Sequence, residues 1–166
     1  MIHVFDDMVF PDHEKLVKLL LTNATDNQSK TQVNMNKLDG TLIYSPQKYG
    51  VDDYRDYMNW INESNPGGAF ITHNTNVWGL VYAFNGIALP HQHFNHDLAG
   101  VHYLEADEGC GFLVCKDGDE IVEIEPKKNR MVIMSGSLFH WVMPGENPEA
   151  RRIAMAFSAR LQNDQS

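Results

Sequence analysis

The stretch Arg152-Ile153-Ala154-Met155-Ala156-Phe157-Ser158 alternates cleanly between two kinds of side chain. Side chains on an extended chain point to alternate faces, so Arg152, Ala154, Ala156 and Ser158 share one face and Ile153, Met155 and Phe157 the other. The second face is bulky and apolar, as a core against a neighbouring layer requires. The first is small and leaves open volume beside a guanidinium. A buried arginine needs an anionic partner, and a planar carboxylate can be gripped by two parallel N–H donors. A small dicarboxylate ligand fits that description. On the pattern alone Arg151 and Arg152 are equal candidates for such an anchor, with a surface ion pair as the alternative role. Tyr103 and Tyr82, both on apolar segments, are candidate hydroxyl donors to the same carboxylate; the alternative is a core tyrosine with a satisfied hydroxyl.

Working outward, the chain from about Val77 reads as short strands separated by turns. Val77 to Phe84 is apolar on both faces, as a strand between two layers is expected to be. Asn85-Gly86 is a strong turn signal. Leu98 to Leu104 and Gly111 to Cys115 follow, separated by an acidic turn at Glu108-Gly109 and read as a hairpin. Asp117-Gly118-Asp119 turns into Ile121 to Glu125, and Met131 to Ser135 precedes the final strand. Such regular short strands predict an antiparallel sandwich or barrel. Two helices are expected before them. One covers Lys15 to Leu21, with apolar residues at 16, 17, 19, 20 and 21 after the acidic Pro11-Asp12-His13-Glu14. The other covers Asp52 to Glu63, carries Tyr54, Tyr57, Met58 and Ile61 at helical spacing, and stops at Pro66-Gly67-Gly68. The polar segment Asn23 to Asn36 reads as a loop.

The length of 166 residues fits one domain with a real core, an N-terminal helical part over 1–70 and a β core over 77–160. A net charge of −9 argues against a surface that binds nucleic acid by neutralising phosphates. The first residues, Met1-Ile-His-Val-Phe-Asp-Asp, lack the basic and long apolar regions of a signal peptide, and no run is long enough to span a bilayer. Cys110 and Cys115 show no framework spacing and are expected to be free thiols in a reducing cytoplasm. A cytoplasmic protein with neither a membrane nor a direct nucleic-acid partner is expected.

Histidine supplies the chemistry. Five of the eight histidines lie between 91 and 140, and His91 and His93 share a face if their segment is extended. His140 follows the apolar run Met131 to Met134. Imidazole suits iron, zinc, copper or nickel, and a facial triad with open positions marks non-haem iron oxygenases. The usual triad holds two histidines and one carboxylate, so His93 departs from it. Asp97, four residues beyond His93, is the alternative ligand. His96 is a weaker candidate, and His102, on the opposite face from Tyr103, is expected to be structural.

At these residues the chain resembles the 2-oxoglutarate/Fe(II) oxygenases of the double-stranded β-helix (jelly-roll) fold, related to the prolyl hydroxylases. The resemblance rests on Val77-Trp78, His91-Gln92-His93, Ala99-Gly100-Val101-His102-Tyr103-Leu104, Ile133-Met134-Ser135-Gly136-Ser137-Leu138-Phe139-His140 with Val142 and Pro144, and Arg152-Ile153-Ala154-Met155-Ala156-Phe157. It implies a mainly β jelly roll with N-terminal helices packed on the major sheet. It also implies Fe(II) held by His91, His93 and His140, and 2-oxoglutarate as co-substrate. The distal carboxylate of 2-oxoglutarate would meet Arg152 and not Arg151, with Tyr103 assisting. A C–H bond of a small-molecule or peptide substrate would be hydroxylated, and that substrate would be chosen by loops such as Asn23–Asn36 and Asn62–His73. The competing expectations are a cupin-type enzyme with a three-histidine metal site, for which Asp97, Gly136 and His140 approximate the motif, and a non-catalytic jelly-roll binding protein. Homodimer formation is left open.

Overall fold

A computed structural model describes residues 1–23, 25–26, 41–44, 52–64, 66, 76–82 and 87–161. Eleven described strands and two helices follow one another as β1 (Ile2–Phe5), α1 (His13–Asn23), β2 (Thr25–Asp26), β3 (Thr41–Tyr44), α2 (Asp52–Ser64), β4 (Asn76–Tyr82), β5 (Ala88–His91), β6 (Leu98–Ala106), β7 (Leu113–Asp117), β8 (Glu120–Ile124), β9 (Arg130–Ser135), β10 (Phe139–Val142) and β11 (Arg152–Ala159). They form two antiparallel sheets, a larger one ordered β1-β9-β6-β11-β4-β3-β2 and a smaller one ordered β5-β10-β7-β8. From β4 onward the chain passes back and forth between the sheets, apart from the β7–β8 hairpin. That winding is the double-stranded β-helix.

All eight residues of β11 are buried, because the strand is covered on both sides. Ile153, Met155 and Phe157 pack with Leu16 and Leu20 of α1 and Tyr57 and Ile61 of α2. Ala154, with Tyr103, Leu113, Cys115 and Met134, faces the space between the sheets. The helices therefore lie on the outer face of the larger sheet. Gly79 on β4 permits the approach of α1, since a Cβ there would lie 2.0 Å from a Leu20 methyl.

His102 belongs to this outer layer and is fully buried. Its Nε2 lies 2.7 Å from the Met8 carbonyl and must donate to it. Its Nδ1 therefore accepts from the Tyr57 hydroxyl at 3.0 Å. The ring packs against those of Tyr57 and Trp60, at centroid distances of 5.9 and 5.4 Å, and those two rings also meet each other. Burial lowers its pKa to about 4, against the opposing pull of the Met8 carbonyl.

Three details differ from the pattern reading. Glu108-Gly109 does not close a hairpin: β6 and β7 lie in different sheets, so this segment is a crossover, with Cys110 in it and Cys115 on β7. Both thiols are free. Leu21 is 44% exposed and does not belong to the apolar face of α1. β1 and β10, four residues each, are additional strands, the first pairing with β9 and the second joining β5 to β7. Phe84, Asn85-Gly86 and Gly67-Gly68 lie outside the described residues. So do most of the two loops expected to select substrate, although Thr25–Asp26 within the first is a strand. Among the described residues no helix is long and apolar enough to cross a membrane.

Candidate metal centre

His91 closes β5, and His140 is its register partner on β10. Facing positions on paired strands point the same way, and the two ring centroids lie 4.3 Å apart. His93 sits two residues past the end of β5. Its N–H donates to the Gly136 carbonyl at 2.8 Å, and its carbonyl accepts from His96 N–H at 3.0 Å, which closes a tight turn. A Cβ on Gly136 would come within 2.1 Å of the His96 carbonyl, so the close approach of this turn to the β9–β10 connection requires glycine. Same-face placement of His91 and His93 thus comes from a turn pinned by Gly136 and not from a continuous strand.

One nitrogen from each of His91, His93 and His140 falls within 4.8 Å of the others. His91 Nδ1 lies 2.7 Å from the Leu89 carbonyl and His140 Nδ1 3.0 Å from the Leu138 carbonyl. A carbonyl only accepts, so each Nδ1 carries the proton and each Nε2 keeps its lone pair. Such backbone tethers fix the tautomer and orientation of metal-binding histidines. Burial lowers all three pKa values, to about 3 for His93 and about 4 for His140; the charges of His140 and His91 act in the same direction on His93, and that of His91 on His140. Near neutral pH the cluster therefore presents three uncharged nitrogen donors, the form that a metal requires.

Asp97 is not brought to this cluster. Its Oδ2 accepts from the Leu161 N–H at 2.8 Å, and its backbone pairs with Ala159 and Gly136. His96 is also apart, with Nε2 3.3 Å from the Asn76 amide.

Arg152 lies in the same cleft. It is 3% exposed, whereas Arg151 is exposed and uses its backbone N–H to bond Asp107. The Arg152 guanidinium donates to the Gly111 carbonyl and sits 4.0 Å above the Tyr82 ring and 6.0 Å from the Tyr103 ring. Among the described residues no carboxylate pairs with it. Burial raises the pKa of both phenols, so both keep their protons, while the neighbouring Arg152 charge and, for Tyr82, the approach of its hydroxyl to the guanidinium oppose the rise. The cleft holds about 760 Å³ of empty space, part of it open to solvent, and its walls include Leu80, Leu113, Met134, Val142 and Ala154. It therefore combines three lone-pair donors, one buried cation and an apolar wall.

No family model and no curated protein matches the sequence. Solved structures do match. A prolyl hydroxylase from Trichoplax adhaerens, in complex with a peptide fragment of the hypoxia inducible factor oxygen degradation domain, superimposes with a TM-score of 0.72 and 16% identity, over 96% of this chain and 83% of that one. HygX from Streptomyces hygroscopicus, with nickel and 2-oxoglutarate bound, gives a TM-score of 0.69 at 7% identity, over 96% and 82%. A 2OG-Fe(II) oxygenase family oxidoreductase from Burkholderia pseudomallei gives 0.57 at 10% identity, over 95% and 84%. The fold is that of the 2-oxoglutarate/Fe(II) oxygenases. Within this oxygenase fold, Trp78 had drawn attention in the sequence only as part of a motif. In three dimensions its ring lies 5.9 Å from that of His93, a contact between the two sheets that no local pattern encodes.

Proposed function

We propose that the protein is a non-haem Fe(II)- and 2-oxoglutarate-dependent oxygenase that hydroxylates a small-molecule or peptide substrate. The observation that carries this reading is the pairing, in one cleft, of three neutral imidazoles with a buried arginine that has no carboxylate partner among the described residues. The donor set suits the metal: three imidazole nitrogens with room for further ligands agree with the preferences of divalent iron, nickel, cobalt and zinc. His91, His93 and His140 would hold it. When bound, ferrous iron would couple oxidative decarboxylation of 2-oxoglutarate to succinate and carbon dioxide with insertion of an oxygen atom into a substrate C–H bond.

The rest falls to the chain. A buried guanidinium without a counter-ion is costly, so Arg152 recruits the distal carboxylate of the co-substrate through paired N–H donors. Tyr103, protonated and buried beside it, is the hydroxyl donor to the same group. Tyr82 meets the guanidinium with its ring. Leu80, Leu113, Val142 and Ala154 exclude water around the aliphatic part of the co-substrate, which strengthens each polar contact within. The peptide and small-molecule options for the primary substrate draw on neighbours: the Trichoplax enzyme is seen with a peptide, and HygX has also been solved with hygromycin B.

A three-histidine metal enzyme of another reaction type is the second reading, favoured by the position of Asp97 outside the cluster. The Arg152 anchor separates the two. Succinate formed from 2-oxoglutarate should depend on added Fe(II) and fall to background in Arg152→Ala. Metal-dependent activity that ignores both 2-oxoglutarate and Arg152 would favour the second reading.

A further inference from the structure

The inward face of β4 carries Trp78, Leu80 and Tyr82 at alternate positions. The first and last are aromatic, and each meets a different end of the cleft. Tyr82 is the register partner of Arg152, whose guanidinium carbon lies 4.0 Å from the Tyr82 ring centroid. Trp78 is the register partner of Ala156. That small side chain leaves room for the indole to meet His93, which belongs to the connection after β5 of the other sheet. Along the strand, Trp78 and Tyr82 are separated by about 13 Å at the usual rise per residue.

We propose that β4 is the positioning strand of the site, seating His93 through the ring of Trp78 and Arg152 through the ring of Tyr82. This rests on the reading above, in which those two groups bind metal and co-substrate.

The case for Trp78 starts from an asymmetry among the three imidazoles. His91 and His140 are each tethered by a carbonyl two residues upstream. No hydrogen bond restrains the His93 ring among the described residues. It is flanked by rings instead, 5.2 Å from His140 at an interplanar angle of 10°, 5.5 Å from His91 at 66° and 5.9 Å from Trp78 at 31°. Trp78 is the flanking ring that belongs to no imidazole of the cluster, and removing it would loosen the third donor. The Trp78 N–H is buried with no acceptor among the described residues. That is unfavourable, so it is the ring and not the polar handle that suits the position.

The case for Tyr82 is that its ring face favours a cation where no carboxylate does. In that role it keeps Arg152 extended into the cleft before any ligand arrives. The Tyr103 ring, at 6.0 Å, stands too far off to share this work equally.

Four variants test the assignment: Trp78→Leu, Trp78→Phe, Tyr82→Leu and Tyr82→Phe. Co(II) affinity is measured by competition with a chelator, and 2-oxoglutarate affinity by calorimetry on the Co(II)-saturated protein. Trp78→Leu should weaken Co(II) by about tenfold or more, as loss of a supporting partner does, and leave 2-oxoglutarate within about threefold. Tyr82→Leu should do the reverse, weakening 2-oxoglutarate by about tenfold, at the upper end for a desolvated cation over a ring. Both phenylalanine variants should bind like the wild type, because a ring is retained. Leucine variants that bind like the wild type, or that weaken both ligands equally, would overturn the proposal. So would a Tyr82→Phe variant as impaired as Tyr82→Leu, which would assign the effect to the hydroxyl. Should a leucine variant fail to fold, the methionine substitution at the same position carries the same comparison. Wild-type protein that bound neither Co(II) nor 2-oxoglutarate would instead remove the oxygenase reading itself, and with it this assignment.

Discussion

The spaces on either side of the larger sheet hold histidine in opposite ways: His102 comes from β6 of that sheet, His91 and His140 from β5 and β10 of the smaller one. On the helix side, His102 is sealed, with both ring nitrogens satisfied by Tyr57 and Met8 and with the rings of Tyr57 and Trp60 packed against it. In the space between the sheets, His91 and His140 are held equally firmly, but only through Nδ1. All are kept uncharged by burial. Burial and lowered pKa therefore do not distinguish a structural histidine from a candidate ligand. What distinguishes them is whether the second nitrogen has a partner within the protein. Tyr103 and His102 are chain neighbours, yet the side-chain alternation of β6 sends one to the cleft and the other to the helices.

If that comparison is sound, substitutions on the two faces must separate. His140→Ala should have the largest effect, with loss of divalent-metal binding by well over the roughly 10–100-fold that outer-sphere changes produce, and with little change in fold by circular dichroism. Arg152→Ala comes next. It should keep the metal and weaken 2-oxoglutarate by about 30-fold or more, the range for truncating a buried charge partner. Without ligand it should be no less stable than wild type, since it removes a buried charge that has no counter-ion among the described residues. Undiminished 2-oxoglutarate binding would end the anchor assignment.

On the other face, His102→Gln should leave metal and 2-oxoglutarate binding within about twofold and should act on stability instead, by about 1–3 kcal/mol at neutral pH from lost buried hydrogen bonds. It should also change the acid response. The folded-state pKa of about 4 lies below the ordinary 6.5, so as pH falls the unfolded chain takes up this proton first. The stability tied to a neutral His102 is thus complete above pH 6.5 and lost progressively toward pH 4, by up to about 3 kcal/mol. Thermal midpoints across that interval should fall less steeply in His102→Gln than in wild type. Parallel curves would show that His102 does not carry the difference.

Much of this contrast was legible in the residues. The alternation of Arg152 to Ser158 separates the bulky face from the small one, and the parity of Tyr103 and His102 assigns them to opposite sides. The elements that escaped depend on distant partners. β1 and β10 are four residues long, and what makes them strands is the neighbour each pairs with. The turn at Glu108-Gly109 has the local chemistry of a hairpin, yet β6 finds β9 and β11 while β7 finds β8 and β10. Asp97 and His93 were both open as ligands because sequence spacing cannot show that the Leu161 N–H engages one and Gly136 fixes the other. Arg151 and Arg152 are equivalent on the pattern alone; the resemblance favours 152, which the structure buries opposite Tyr82 while 151 is exposed.

In the proposed reading the imidazole cluster and Arg152 serve one bound pair, metal and 2-oxo acid. Anaerobic titration of the Fe(II)-loaded protein with 2-oxoglutarate probes both halves of that pair at once. A visible charge-transfer band that saturates at one equivalent in wild type and is absent in His140→Ala is the expected result. No band and no affinity for 2-oxoglutarate, in protein shown to hold one ferrous ion, would contradict the account.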